Sequence, residues 1–340
     1  MKRLLALLAT TSLMFLAGCQ AQQKPDITVT SFIGYDIAHA IVGDKMVVEN
    51  IMPWGSEMHN FEPSARNITA IKDSKLFIFV GEDQEPWVKT LGTQDHALDL
   101  SKSYELAAHN HAHSENHEDT DHQHDEAAHT HEEETKTHET TEHDHSHEKD
   151  HSHEGHEHDH GSLHYWTDPT TYVQLIESVK KEIIKVDPTN ATYYETQASA
   201  YSTRITTMHT DFDQYMQSQD HPTVYFSGHN AMDAFADRYH LKIVSLTQDY
   251  RPNADLTAQQ ILSLKTSLKD AQATTLFIEE LVEPRVAKSI QDSLRQDNIE
   301  IEIKELHGYH NISHDQFKAH VTYADLMHQN IENLKHAINH

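Results

Sequence analysis

Ile27-Thr28-Val29-Thr30-Ser31-Phe32 opens the globular part of the chain, and the run from Ile33 to Val42, then Gly43, then Val47 to Met52 follows it before Pro53. The first six residues are short and β-branched, the composition of a buried strand. Ile33 to Val42 reads as a helix, and Gly43 supplies its C-cap. Val47 to Met52 reads as a second strand, stopped by Pro53. A strand, a helix and a strand in succession predict parallel pairing covered by helices.

The alternation continues outward. Ser64 to Asp73 is predicted as a short helix, Leu76 to Val80 as a continuous apolar strand closed by Gly81, Glu85 to Leu91 as a helix and Ala97 to Leu100 as a weak strand. Thr170 to Val186 reads as helix, Asp187-Pro188 breaks it, and Thr189 to about Gln219 has long helical character. A second alternation follows, with strands at Thr223 to Ser227, Lys242 to Leu246, Thr275 to Ile278 and Ile299 to Leu306. Helices at Ala231 to Tyr239, Thr257 to Asp270 and Glu283 to Gln296 separate them, and one closing helix is expected from about His314 to Ala337. The fold class is therefore α/β: two lobes, each a parallel sheet covered by helices, joined by one long connecting helix. Residues 26–187 form the expected N-terminal lobe, 188–220 the connecting helix and 221–340 the C-terminal lobe. Ligands in such sheets bind beyond the carboxyl ends of strands, and a cleft between two lobes favours a site.

Residues 109–160 interrupt this pattern. They hold about half of the 32 histidines in an acidic stretch where Asp and Glu far outnumber Lys136 and Lys149. Such a stretch cannot bury enough apolar surface to offset the entropy of ordering, so it is expected to be disordered. Imidazole is the commonest protein ligand for transition metals, which points the chain toward metal handling. His109, His111, His113, His143, His145, His147, His151, His153, His156, His158 and His160 are candidates for low-affinity metal collection, raising the local metal concentration through multivalency. The plainer reading is a solvated spacer. His147-Glu148-Lys149-Asp150-His151 matches the zincin pattern His-Glu-x-x-His, but that motif needs a buried helix and a third ligand, and a polar repeat produces such matches by chance. The formal net charge of −28, more than half of it in this tract, argues against a nucleic-acid partner.

The N-terminus carries targeting information. Met1-Lys2-Arg3 is a basic n-region, and Leu4 to Leu16 is an apolar run of signal-peptide length, too short to span a bilayer. It ends in Leu16-Ala17-Gly18-Cys19, which resembles a bacterial lipobox. Cys19 is the single cysteine and can form no internal disulfide, whereas lipidation gives it a role. Residues 1–18 are then a lipoprotein signal peptide and 19–25 a tether, with the membrane reached through lipid on Cys19. The expected location is the extracytoplasmic face of the cell membrane.

Four histidines outside the tract lie in loops or at strand ends: His59 in Pro53 to Pro63, His164 before Tyr165-Trp166-Thr167-Asp168-Pro169, His229 after Phe226-Ser227-Gly228, and His310 after Leu306-His307-Gly308-Tyr309. Two come from each expected lobe, so a cleft can bring them together. A lone loop histidine is more often a surface or hydrogen-bonding residue than a ligand; the shared topological position raises the odds here.

These segments resemble the metal-binding lipoproteins of bacterial zinc and manganese ABC importers, zinc members above all. The Pro53 to Pro63 loop is similar to the family's Pro-Gly-x-x-x-His-x-(Tyr/Phe)-Glu-Pro, with Trp54 as a departure ahead of Gly55. His164-Tyr165-Trp166-Thr167-Asp168-Pro169 is similar to its His-x-Trp-x-Asp-Pro, and the segment from His229 to Tyr239 resembles the one that follows the third ligand. The resemblance implies metal ligands His59, His164 and His229. For the fourth it implies a carboxylate or water after the last strand, where this chain offers His310 and then His307; Glu279 and Glu280, after the strand Thr275 to Ile278, are further alternatives. Glu279 and Glu280 both read more readily as a solvated strand end with a helix start than as ligands, Glu57 and Glu62 as second-layer or capping groups, and Asp168 as an N-cap or an orienting acceptor with Pro169 at the first helical position.

Neutral imidazoles suit tetrahedral zinc, while manganese prefers oxygen-rich sites. The expected cargo is Zn2+ and the expected partner an ABC transporter permease, with the chain itself a monomer and not an enzyme. It has no Gly-x-x-x-x-Gly-Lys-(Ser/Thr) phosphate loop of its own. Other readings are a manganese or nickel protein of the same type, a surface adhesin or metal buffer, and a zinc hydrolase.

Overall fold

The computed structural model describes residues 24–58, 61–92, 94–104, 162–229, 231–247 and 257–339. The expectations for residues 1–18, Cys19, His59 and the tract 109–160 lie outside the described residues.

Two four-stranded sheets carry the molecule. In the first, β1 (Ile27–Val29) sits between β2 (Val48–Asn50) and β3 (Leu76–Phe79), and β4 (Ala97–Asp99) pairs with β3. In the second, β5 (Thr223–Phe226) sits between β6 (Lys242–Ser245) and β7 (Thr275–Ile278), with β8 (Glu302–Glu305) outside β7. Every pairing is parallel. Strand order is thus the same in both, and each sheet has its topological switch point between its two central strands. β3 is buried along its whole length, as a strand covered on both faces must be.

Helices α1 (Phe32–Val42), α2 (Ala65–Asp73) and α3 (Pro169–Val186) belong with the first sheet. Phe32 begins α1 instead of ending β1, because the Ser31 side chain accepts from Gly34 N and caps the helix. The helix expected from Glu85 to Leu91 is a 3-10 turn, Pro86–Thr90. Helix α4 (Ala191–Gln217) is the long connector, 27 residues and so about 40 Å of rod. It buries Tyr194, Ala198, Tyr201, Ile205, Phe212 and Met216, a stripe at helical spacing. Helices α5 (Asp233–Arg238), α6 (Ala258–Asp270) and α7 (Arg285–Gln296) cover the second sheet.

The single closing helix expected from His314 is two: α8 (His314–Lys318) and α9 (Tyr323–Asn339). His320 at φ 56° turns the chain out of the helix. Thr322 and Asp325 then cap the next one reciprocally, Thr322 N donating to Asp325 Oδ2 at 2.9 Å and Asp325 N to Thr322 Oγ1 at 3.2 Å.

One buried apolar cluster runs from Ile27 and Val29 through Tyr201 and Ile205 of α4 to Phe226, Tyr309 and Leu334, so both lobes share it. At its centre the Asp36 carboxylate accepts from Tyr172 Oη at 2.7 Å, Tyr201 Oη at 2.5 Å and Tyr323 N at 3.1 Å, tying α1, α3, α4 and α9 together. Burial raises the Asp36 pKa to about 6 against these donors. Asp168 gives a second tie: it N-caps α3 by accepting from Thr170 N at 2.8 Å, with Pro169 at the first position as expected, and it receives Arg238 of α5 at 2.7 Å.

Candidate metal centre

Three imidazoles meet where the carboxyl ends of the two sheets face each other. His164, His229 and His310 each offer one ligand atom, and those atoms lie within 4.8 Å of one another. Ring centroids are 4.9 Å apart for His164–His310, 5.3 Å for His164–His229 and 5.4 Å for His229–His310. All three residues are buried, at 0, 3 and 9% exposure. Nitrogens on a tetrahedral zinc are about 3.3 Å apart, given bonds near 2.0–2.1 Å, so a small inward adjustment of the rings closes the set on an ion.

Each ring is held from behind. His164 lies at the head of the 3-10 turn Tyr165–Thr167; its N–H donates to Ser162 Oγ at 3.0 Å, and its carbonyl accepts from Thr167 N at 2.9 Å. Trp166 packs edge-on to the ring and donates its indole N–H to Gly308 O at 2.9 Å, linking His164's turn to the His310 loop. His229 follows β5, where its backbone N–H donates to Glu279 Oε1 and its Nδ1 lies 2.9 Å from the same oxygen. Gly228 is required for that approach, since a Cβ there would collide with the Glu279 carboxylate.

His310 follows β8. Its Nδ1 lies 2.8 Å from Glu280 Oε1, and Glu280 also accepts from Gly308 N at 2.8 Å and His310 N at 3.1 Å. A Cβ on Gly308 would sit 2.8 Å from His310 Cε1. Burial alone would raise the Glu280 carboxyl, but the imidazoles of His307 and His310 and the donated hydrogen bonds outweigh it and hold it far below the usual range. Burial pushes His310 down, the Glu280 carboxylate pushes it up, and the balance is a raised pKa. His307 goes the other way, because burial wins there.

The alternative candidates make other contacts. His307 is buried, but its Nδ1 accepts from Tyr309 N at 2.9 Å and its backbone is clasped by Asn330; it is not among the three clustered imidazoles. Glu279 spends its Oε1 on His229. Glu280, expected to be solvated, is instead 6% exposed and organises the His310 loop. Glu62 is exposed and does not cap α2; that cap is Ser64 with Asn67. His59 is outside the described residues, but its neighbours Glu57 and Met58 line a cavity of about 90 Å³ with His229, Glu280 and His310. Asn311 Nδ2 fastens that loop, donating to Pro53 O at 2.9 Å and Ser56 O at 2.8 Å.

The family described as ZnuA, zinc-uptake complex component A periplasmic, matches residues 27–337. The chain belongs to this family. Its relatives include the zinc-binding lipoprotein AdcA of Streptococcus pneumoniae, 25% identical over 340 residues, which cover 98% of this chain and 61% of AdcA. The high-affinity zinc uptake system protein ZnuA of Bacillus subtilis is 25% identical over 324 residues, covering 93% of this chain and 88% of that protein. This ZnuA-family chain therefore spans about 61% of the length of the AdcA relatives. Its fold is that of the Zn(II)-bound ZnuA-like domain of S. pneumoniae AdcA, at TM-score 0.66 and 18% identity over 94% of this chain and 100% of that one.

Proposed function

We propose that this chain captures zinc(II) outside the cytoplasm and passes it to an ABC permease for import. Three buried imidazoles drawn from both lobes, with ligand atoms within 4.8 Å of one another, carry this reading. His164, His229 and His310 are three of the ligands, and His59, next in sequence to Glu57 and Met58 that line the same cavity, is the fourth. An all-nitrogen set favours zinc over manganese, which prefers oxygen. Four protein ligands leave no position for a catalytic water, so the site holds and releases a cargo ion and does not hydrolyse. Lipid on Cys19 anchors the chain at the extracytoplasmic face; among the described residues no helix is long and apolar enough to cross a membrane. The relatives' names, zinc-binding lipoprotein and zinc uptake system protein, support the cargo and the partner.

Competition titration with a chromophoric chelator tests the site. Wild type should bind one zinc in the folded part, with His59→Ala and His229→Ala each weakening it roughly a hundredfold or more. Near-wild-type affinity in both variants would overturn the assignment.

A further inference from the structure

The turn after β7 touches two of the three imidazoles at once. Glu279 Oε1 lies 2.9 Å from His229 Nδ1, and Glu280 Oε1 lies 2.8 Å from His310 Nδ1. Neither carboxylate can drift. Glu279 is pinned by His229 N and by the bare Cα of Gly228, and Glu280 by Gly308 N and His310 N. His310 Nδ1 is hydrogen-bonded to Glu280, so ligation falls to Nε2 on that ring, while Glu279 holds His229 through its backbone N–H and lies against its imidazole. A carboxylate behind an imidazole fixes its tautomer and orientation and raises its basicity.

Charge gives the pair a second consequence. Neutral imidazoles bring no charge of their own, so a zinc ion held by them keeps its full +2. The three residues are at most 9% exposed, and a buried charge is costly unless it is paired. Two adjacent carboxylates, each one imidazole away from the ion, supply the matching −2.

Resting on the proposed zinc-binding role, we infer that Glu279 and Glu280 are positioning residues: together they aim His229 and His310 and serve as the counter-charge of the captured ion without ligating it. The site thus keeps an all-nitrogen coordination sphere and an overall neutral interior. This separates two properties that a directly bound carboxylate would merge, since ligand softness is set by the imidazoles and charge balance by the layer behind them.

The test uses the full chain with Glu279→Gln, Glu280→Gln and Glu280→Ala, titrated with zinc and with Co2+. Glutamine keeps shape and a hydrogen-bond acceptor but removes the charge. Each glutamine variant should weaken zinc about tenfold, and Glu280→Ala up to about a hundredfold. The cobalt d–d spectrum of both glutamine variants should keep the wild-type position and intensity, because the coordination sphere is unchanged. The metal-free melting temperature of Glu279→Gln should stay close to wild type, which separates aiming and charge from folding; if Glu280→Ala does not fold, the glutamine pair decides. Zinc affinities of both glutamine variants within about threefold of wild type would overturn the inference. So would a cobalt spectrum altered by Glu279→Gln, which would make that carboxylate a ligand. Wild-type protein that binds no zinc would instead overturn the proposed function.

Discussion

The two lobes have the same strand order and use their carboxyl ends differently. In the second lobe the central strands serve the site: β5 leads to His229 and β7 to Glu279 and Glu280, while the outer β8 leads to His310. In the first lobe the central strands are closed off. β1 runs straight into α1 through the Ser31 cap, and β3 ends at Val80, whose N–H is capped by the Glu85 carboxylate at 2.7 Å. That lobe's imidazole in the cluster, His164, comes from the chain beyond its outer strand β4. One topology thus offers two switch points, and only the second adjoins the clustered imidazoles. The other is filled by a buried acid whose burial raises its pKa to about 7.

The sharpest way to break this comparison is to remove one ligand from each lobe. His164→Ala and His310→Ala should each cost about a hundredfold or more in zinc affinity by competition titration, since both rings complete one coordination sphere. If His164→Ala binds like wild type, His164 is not part of the coordination sphere and the first lobe's share rests on His59 alone.

Glu85 sharpens the contrast through pH. Its folded pKa of about 7 exceeds the ordinary glutamate value of 4.5, so the folded state binds more protons between those values. Its contribution therefore falls as pH rises from about 4.5 to about 7, and above that the buried charge costs about 3 kcal/mol. Glu85→Gln should melt higher than wild type at pH 8, with the difference shrinking as pH drops toward 5. A difference that is constant with pH would remove the acid from the account, and at each pH the zinc affinity of Glu85→Gln should match that of wild type.

The smallest effect belongs to the seam between the lobes. Asp168→Ala removes the α3 cap and the Arg238 ion pair, whose carboxylate side is 9% exposed and whose guanidinium side is 42% exposed. Chemical denaturation should show a loss of about 1–2 kcal/mol, most of it from the cap. An unchanged midpoint would mean that Arg238 and the cap contribute nothing to the joint.

Much of this was legible in the residues. β-branched and apolar runs located the strands, and Asp168-Pro169 announced the cap of α3. His164, His229 and His310 stood out because all lie in loops near strand ends. What local sequence could not reveal was long-range. The split between α8 and α9 depends on a capping box inside an otherwise helical run, at Thr322 and Asp325. Phe32 looks like strand until Ser31 is seen to cap. Glu280 reads as a surface acid because its partners, Gly308 and His310, lie 28 and 30 residues away and reach it only when β7 and β8 pair. Its position just past a central strand was the available signal.

The apolar interior shared by both lobes and α4 bears on how cargo enters and leaves. Swinging the lobes widely apart would wet that interior at about 2.5 kcal/mol for every 100 Å² exposed. Under the proposed role, repeated loading and unloading is better served by shifting the rim residues Glu57, Met58, Leu281 and Val282 that flank the cavity, leaving Glu279, Glu280 and the body of the molecule in place. Selection of the ion then rests on how those short segments settle around it.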